Sequence, residues 1–170
     1  MNCLQIESIL SHIIGETKTI FRKCLAESEL LSIDKLIKIG KDNIFIILTG
    51  GSAEIGHFYL IYIDSKKRLT IFDSLAKQKI PQKLICLLKI NCVTFNTQCI
   101  QGAHSCVCGL YCLYVAVLLA RGYNLKQILL HFSRSDFNWN DQCIFAWFKR
   151  YFGHICRLTH KELMDCDFSS

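Results

Sequence analysis

Proline is almost missing. Pro81 is the only one in 170 residues, and there are just nine glycines. With so few breakers the chain shows no linker, low-complexity tract or internal repeat, so one compact domain over 1–170 is expected. Long apolar runs are missing too. The longest, Leu110 to Ala120, falls well short of the ~20 residues a membrane-spanning helix needs. Met1–Ile14 has no early basic residue and includes Glu7 and His12, unlike a secretory leader. Charged residues amount to only 20% and hydrophobic ones to 51%, which excludes a disordered chain and allows a sizeable core. The expectation is a soluble monomer, neither secreted nor membrane-bound.

Cysteine, by contrast, is abundant: there are eleven. The odd count, and positions inside apolar runs such as Cys86 in LICLL and Cys112 in LYCLY, favour a reducing compartment with most thiols acting as small core residues. The formal net charge is +6. Basic residues cluster at Lys18, Arg22 and Lys23, at Lys35, Lys38 and Lys41, at Lys66, Lys67 and Arg68, and at Lys149 and Arg150. A solvated surface is the first reading of these clusters and a polyanion-binding face the second. No sequence-reading nucleic-acid motif accompanies them.

Hydrophobic periodicity outlines the elements. Ile6, Ile9, Leu10, Ile13 and Ile14 recur at helical spacing, and Ile33, Leu36, Ile37 and Ile39 form a shorter apolar face. Ile44–Leu48 reads as a strand. His57–Ile63 (HFYLIYI) and Arg68–Asp73 (RLTIFD), separated by a polar turn, read as a hairpin whose first strand is buried on both faces. Gln82–Leu88 reads as a helix and Cys92–Phe95 as a further strand. Gly109–Ala120 is apolar all round, as a helix through the core would be, and Gly122 is its expected left-handed cap. Leu125–Phe132 and Asp141–Phe152 read as later helices. The expected class is α+β, with a mixed β-sheet flanked by helices.

Four residues in this framework carry chemistry. Cys108 ends a polar loop immediately before the buried helix, where the free N–H groups and the helix dipole favour a thiolate, the reactive form. His57 opens the most apolar strand and can accept a thiol proton near neutral pH. Asp73 ends the next strand, so hairpin pairing brings it beside His57, where it can hold the imidazole tautomer. Gln101, seven positions before Cys108, can aim its amide at the point faced by the Cys108 N–H and form an oxyanion hole. Each residue also has a bland reading: a core thiol, an edge histidine, a turn aspartate and a loop glutamine.

The order His57-Phe58, Asp73, Gln101-Gly-Ala-His-Ser-Cys-Val-Cys108-Gly109-Leu110 resembles the adenovirus-type cysteine proteases (adenain) and, more distantly, the proteases of SUMO and other ubiquitin-like modifiers. Gly50-Gly-Ser-Ala-Glu-Ile-Gly-His57 resembles the stretch before the adenain histidine. Asp73 in a Phe-Asp-Ser-Leu context is closer to the SUMO proteases, and Phe58 stands where tryptophan is usual. The resemblance implies the SUMO-protease/adenain-like fold with the catalytic Cys108 at the start of a central helix. It implies cleavage after small residues of Gly-Gly or Gly-X-Gly type, with Glu54, Gly56, Phe58 and Gly109 lining the substrate and Phe58 roofing a narrow cleft. It further implies processing of capsid and core precursors in the virion and host nucleus. No cofactor is needed for the chemistry. Activation by DNA and by a viral peptide disulfide-linked to Cys92 is carried by the same resemblance.

Rival readings stay open at this level. The same machinery would serve a deSUMOylase or deubiquitinase, and a degenerate copy of the fold would be a binding module. His104, Cys106, Cys108 and Cys112 superficially suggest zinc, but they lack the paired spacing of a structural site, so no metal is expected.

Overall fold

The computed structural model describes residues 1–14, 18–50 and 56–153. Helix α1 (Cys3–Ile13) starts at a reciprocal cap: Asn2 Oδ1 accepts the Gln5 N–H, and Gln5 Oε1 accepts the Asn2 N–H. Its buried face, Ile6, Ile9 and Leu10, follows the helical spacing read from the sequence.

Five strands build one mixed sheet in the order β1 (Thr19–Ala26), β2 (Asp42–Thr49), β3 (His57–Ile63), β4 (Arg68–Phe72) and β5 (Cys92–Phe95). The outer pairs β1–β2 and β4–β5 are parallel and the inner pairs antiparallel. Strand β1 is absent from the periodicity reading, for a physical reason. It is an edge strand carrying Arg22 and Lys23 with a register shift between Phe21 and Lys23, and edges tolerate charges and bulges that blur alternation. Central β2 and β3 are nearly continuous apolar runs because both faces of the sheet are covered.

On one face Ile44, Ile46, Phe58, Leu60 and Phe72 pack with α1, helix α4 (Cys108–Ala120) and helix α6 (Phe137–Phe152). On the other, Phe45, Ile47, Tyr59, Ile61 and Ile71 pack with Ile33 of the short helix α2 (Ile33–Leu36) and Leu84 of α3 (Gln82–Leu88). A 3₁₀ turn (Glu27–Ser32) precedes α2. Helix α5 (Leu125–Leu129) is shorter than the Leu125–Phe132 expected, and α6 starts four residues ahead of the expected Asp141, capped by Asp136.

Helix α4 is buried along almost its whole length, as its unbroken apolar sequence requires. It stops at Gly122, whose φ of 91° lets the Tyr123 N–H reach back to the Leu118 carbonyl. Cys108 is its first residue. The fold is therefore α+β with helices on both faces of a mixed sheet, and the helix bearing Cys108 runs through the middle of one layer. Among the described residues, no helix is long and apolar enough to cross a membrane.

Candidate active site

The site forms where the start of β3, the end of β4 and the start of α4 meet. Gly56 leads into β3 because a Cβ there would lie 2.5 Å from Leu48 Cδ1. The Leu60–Phe72 pair makes Tyr59 and Asp73 the next positions of the hairpin, with His57 two residues on. His57 Nε2 lies 2.6 Å from Asp73 Oδ1. The carboxylate is nearly fully buried and held from two further directions, by the Leu75 N–H on Oδ1 and the Lys77 N–H on Oδ2, each at 2.9 Å. Asp73's own backbone is clamped by Asn96, whose Oδ1 accepts the Asp73 N–H at 2.9 Å while its Nδ2 donates to the Asp73 carbonyl at 2.6 Å.

With Nε2 turned to Asp73, Nδ1 is the ring nitrogen left for the thiol, and the Cys108 side chain is near enough to favour the charged imidazole. The Phe58 N–H donates to Cys108 Sγ at 3.5 Å, fixing the sulfur against the start of β3. Burial works against the charged imidazole. The Asp73 hydrogen bond and then the nearby Cys108 side chain outweigh it and hold the His57 pKa at about 9. For Asp73, burial works in favour of the neutral acid. The His57 hydrogen bond and charge and the two backbone donors prevail, and its pKa falls below the ordinary carboxylate value.

Gln101 is 2% exposed. Its Oε1 accepts the Ser74 hydroxyl, and its Nε2 donates to the Ser105 carbonyl at 2.6 Å. A carbonyl only accepts, so the nitrogen must face Ser105, which decides the amide orientation. One of the two Nε2 hydrogens is thereby used. Cys108 opens α4, so its N–H is among the donors the helix itself leaves unpaired.

The remaining expected positions fall as follows. Phe58 is 6% exposed, with its ring in the core beside Ile6 and Leu60. It therefore packs largely into the core next to the site, and its backbone N–H faces the thiol. Gly109 is buried, and a Cβ there would meet Ile6, Met1 and Phe58 at 3.4 Å. Glu54 lies outside the described residues. Cys92 is exposed at the far end of β5, opposite Arg68, roughly 15 Å of strand away from Asp73. Cys112 is fully buried in α4, where burial pushes its thiol pKa well up. Among the described residues no three His, Cys, Asp or Glu side chains group as a metal ion would need.

Asn96, Asn140 and Asp141 also shape the site and carry no sequence expectation, whereas Ser74 and Ser105 belong to the stretches whose resemblance to known proteases is noted above. For Asn140 and Asp141 a signal existed. They share a helical face with Ile144, Phe145 and Phe148, so they read as polar residues at core positions.

No protein-family model matches the chain, and no curated protein matches it in sequence. Solved structures do. The central domain of the uncharacterized Lpg1148 protein from Legionella pneumophila matches with a TM-score of 0.54 at 13% identity, covering 88% of this chain and 94% of that one. ChlaDub1 from Chlamydia trachomatis matches with a TM-score of 0.53 at 12% identity, covering 94% of this chain and 83% of that one. At these identities the likeness is one of fold alone. The site contributes an imidazole bonded to a carboxylate, and a thiol held by the backbone of the residue next to that imidazole.

Proposed function

We propose that this chain is a cysteine protease with Cys108 as nucleophile, His57 as general acid and base, Asp73 as its orienter and Gln101 as oxyanion donor. The observation that carries the reading is that His57, bonded at 2.6 Å to a buried carboxylate, opens the strand whose next residue, Phe58, holds the Cys108 sulfur at the mouth of α4 by its N–H at 3.5 Å. The Cys108 thiol gives its proton to His57, the sulfur attacks the scissile carbonyl carbon, and an S–C bond forms while the carbonyl π electrons move onto oxygen as negative charge. Gln101 Nε2–H and the Cys108 N–H stabilise that oxygen. Collapse breaks the C–N bond, and the His57 imidazolium gives its proton to the departing amine. Water, deprotonated by His57, then attacks the thioester. The acid product leaves and the thiol is restored.

The substrates are proteins with small residues, of Gly-Gly or Gly-X-Gly type, before the cut. The adenain-like motif supports capsid and core precursors as those substrates, in a virion and nuclear setting, with DNA or a peptide joined to Cys92 as activators. The fold likeness to ChlaDub1, whose name denotes a deubiquitinase, supports a second reading: removal of ubiquitin-like modifiers, which also end in Gly-Gly.

One experiment separates them. Purified chain is incubated with Gly-Gly-containing precursor peptides and, in parallel, with ubiquitin and SUMO fused through their C-termini to a reporter. Preferential peptide cleavage supports precursor processing, and preferential fusion cleavage supports deconjugation. A thiol-reactive Gly-Gly probe should modify Cys108 alone and lose that reaction in His57→Ala. Equal labelling of several cysteines, indifferent to His57, would leave a binding module.

A further inference from the structure

The two peptide units flanking Gln101 are each gripped by one of two adjacent side chains on α6. Asn140 Nδ2 donates to the Ile100 carbonyl at 2.9 Å, and the Gly102 N–H donates to Asp141 Oδ2 at 3.1 Å. From the opposite side the Ser74 carbonyl accepts the N–H groups of Ile100 and Gln101. With both flanking peptides held, the Gln101 backbone has one conformation, and Ser74 and Ser105 then set its amide.

Both α6 residues are anchored elsewhere. Asn140 exchanges hydrogen bonds with Ser133, donating to its carbonyl and accepting its N–H, each at 2.8 Å, so both Nδ2 hydrogens are used. Asp141 Oδ1 accepts from the Tyr111 hydroxyl at 2.9 Å. Tyr111 sits on α4, one turn from Cys108, and its hydroxyl also lies 3.1 Å from the Ile100 carbonyl. The Asp141 carboxylate thus ties the Gln101 loop to the helix that carries the thiol. Contact is close enough to dictate a loop residue, since a Cβ on Gly102 would lie 2.8 Å from Asp141 Oδ2. Asn140 and Asp141 are 1% and 3% exposed on a face otherwise made of Ile144, Phe145 and Phe148. Burying polar groups there costs free energy that apolar residues would avoid.

We infer that Asn140 and Asp141 are positioning residues that set the Gln101 amide relative to Cys108. The inference rests on the protease reading above. Their hydrogen bonds go to the loop, to Ser133 and to Tyr111 and not to the thiol, so they act through the loop.

The test compares Asn140→Asp, Asp141→Asn and Gln101→Ala, singly and with each α6 change combined with Gln101→Ala. Two rates are measured: kcat/KM on a Gly-Gly amide substrate, and alkylation of Cys108 by iodoacetamide, followed by mass spectrometry of its peptide. Alkylation needs the thiolate but no oxyanion hole. The expected result is a kcat/KM lower by about 10- to 100-fold in each α6 variant. Cys108 alkylation should be unchanged, with no additional loss in the Gln101→Ala background. Losses that multiply with Gln101→Ala, or alkylation falling in parallel with turnover, overturn the inference and leave a structural role. Should circular dichroism show an α6 variant unfolded, Tyr111→Phe replaces it, removing only the hydroxyl between α4 and Asp141, with the same pattern expected. A wild-type chain that alkylates at Cys108 yet cleaves no Gly-Gly substrate overturns the protease reading, and this inference with it. An active wild type with normal α6 variants overturns the inference alone.

Discussion

A buried aspartate closes each of the turns that flank β4, Asp64 four residues before it and Asp73 directly after it, and the two are built alike. Asp64, before the strand, accepts the N–H groups of Lys66 and Arg68 at 2.9 and 2.8 Å and pairs with Arg68 Nε at 2.6 Å. Asp73, after the strand, accepts the N–H groups of Leu75 and Lys77 and pairs with His57 Nε2 at 2.6 Å. Both carboxyl pKa values lie below the ordinary value. In each case burial pulls the other way and hydrogen bonds prevail. What differs is the partner. The Arg68 side chain is 62% exposed and permanently charged, so its pair is a fixed turn clasp. The His57 side chain is 21% exposed, can release its proton, and has a thiol on its other side. The local motif is common to both ends. A titratable partner and a third group turn one copy of it into a candidate site.

Breaking the comparison at the thiol should have the largest effect. Cys108→Ala should abolish turnover of a Gly-Gly substrate while leaving the melting curve nearly unchanged, because the residue is small. Activity that survives would end the assignment.

The two aspartates can then be exchanged for amides. Asp73→Asn should lower kcat/KM by roughly 10²-fold or more, since the imidazole loses its orienting acceptor. Asp64→Asn should leave kcat/KM unaltered and cost about 1 kcal/mol of stability, read by urea unfolding. Equal kinetic losses in both would show that the two ends are not functionally distinct.

A pH series sharpens the same contrast. A raised histidine pKa means the charged pair is fully present below the ordinary value near 6.5. It is lost as pH rises through about 9. The alkaline limb of kcat/KM should therefore fall near about 9, where the leaving amine loses its proton donor. It should move to lower pH in Asp73→Asn and stay in place in Asp64→Asn. The smallest effect is expected from Arg68→Ala, whose exposed side chain should change neither the pH profile nor the melting temperature appreciably.

Much of this site could be read in one dimension. His57 and Asp73 sit at the start and end of two strands joined by a short polar turn, so antiparallel pairing alone makes them neighbours. Cys108 stands at the border between a polar loop and an unbroken apolar run, which marks both a helix start and burial. Strand β1 is hidden because edge position relaxes the apolar pattern, and the start of α6 because Asn138 and Asn140 alternate with Phe137 and Trp139 in its first turn and blur the helical period. The burial of Asn140 and Asp141 is legible from their helical face, but the bonding partners of Asn96, Asn140 and Asp141 are hidden for another reason. Each bonds to backbone 23 to 40 residues away, and a backbone group has no sequence signature.

The sequence by itself determined which residue types could do the chemistry, and it determined the local order that pairs His57 with Asp73, because both follow from period and adjacency. Tertiary structure decided the rest: that Cys108 Sγ meets the start of β3, that Phe58 packs into the core next to the site, and that the Gln101 loop is held from α6. Those outcomes depend on how separate layers stack, and close packing between distant segments is fixed only when the whole core forms.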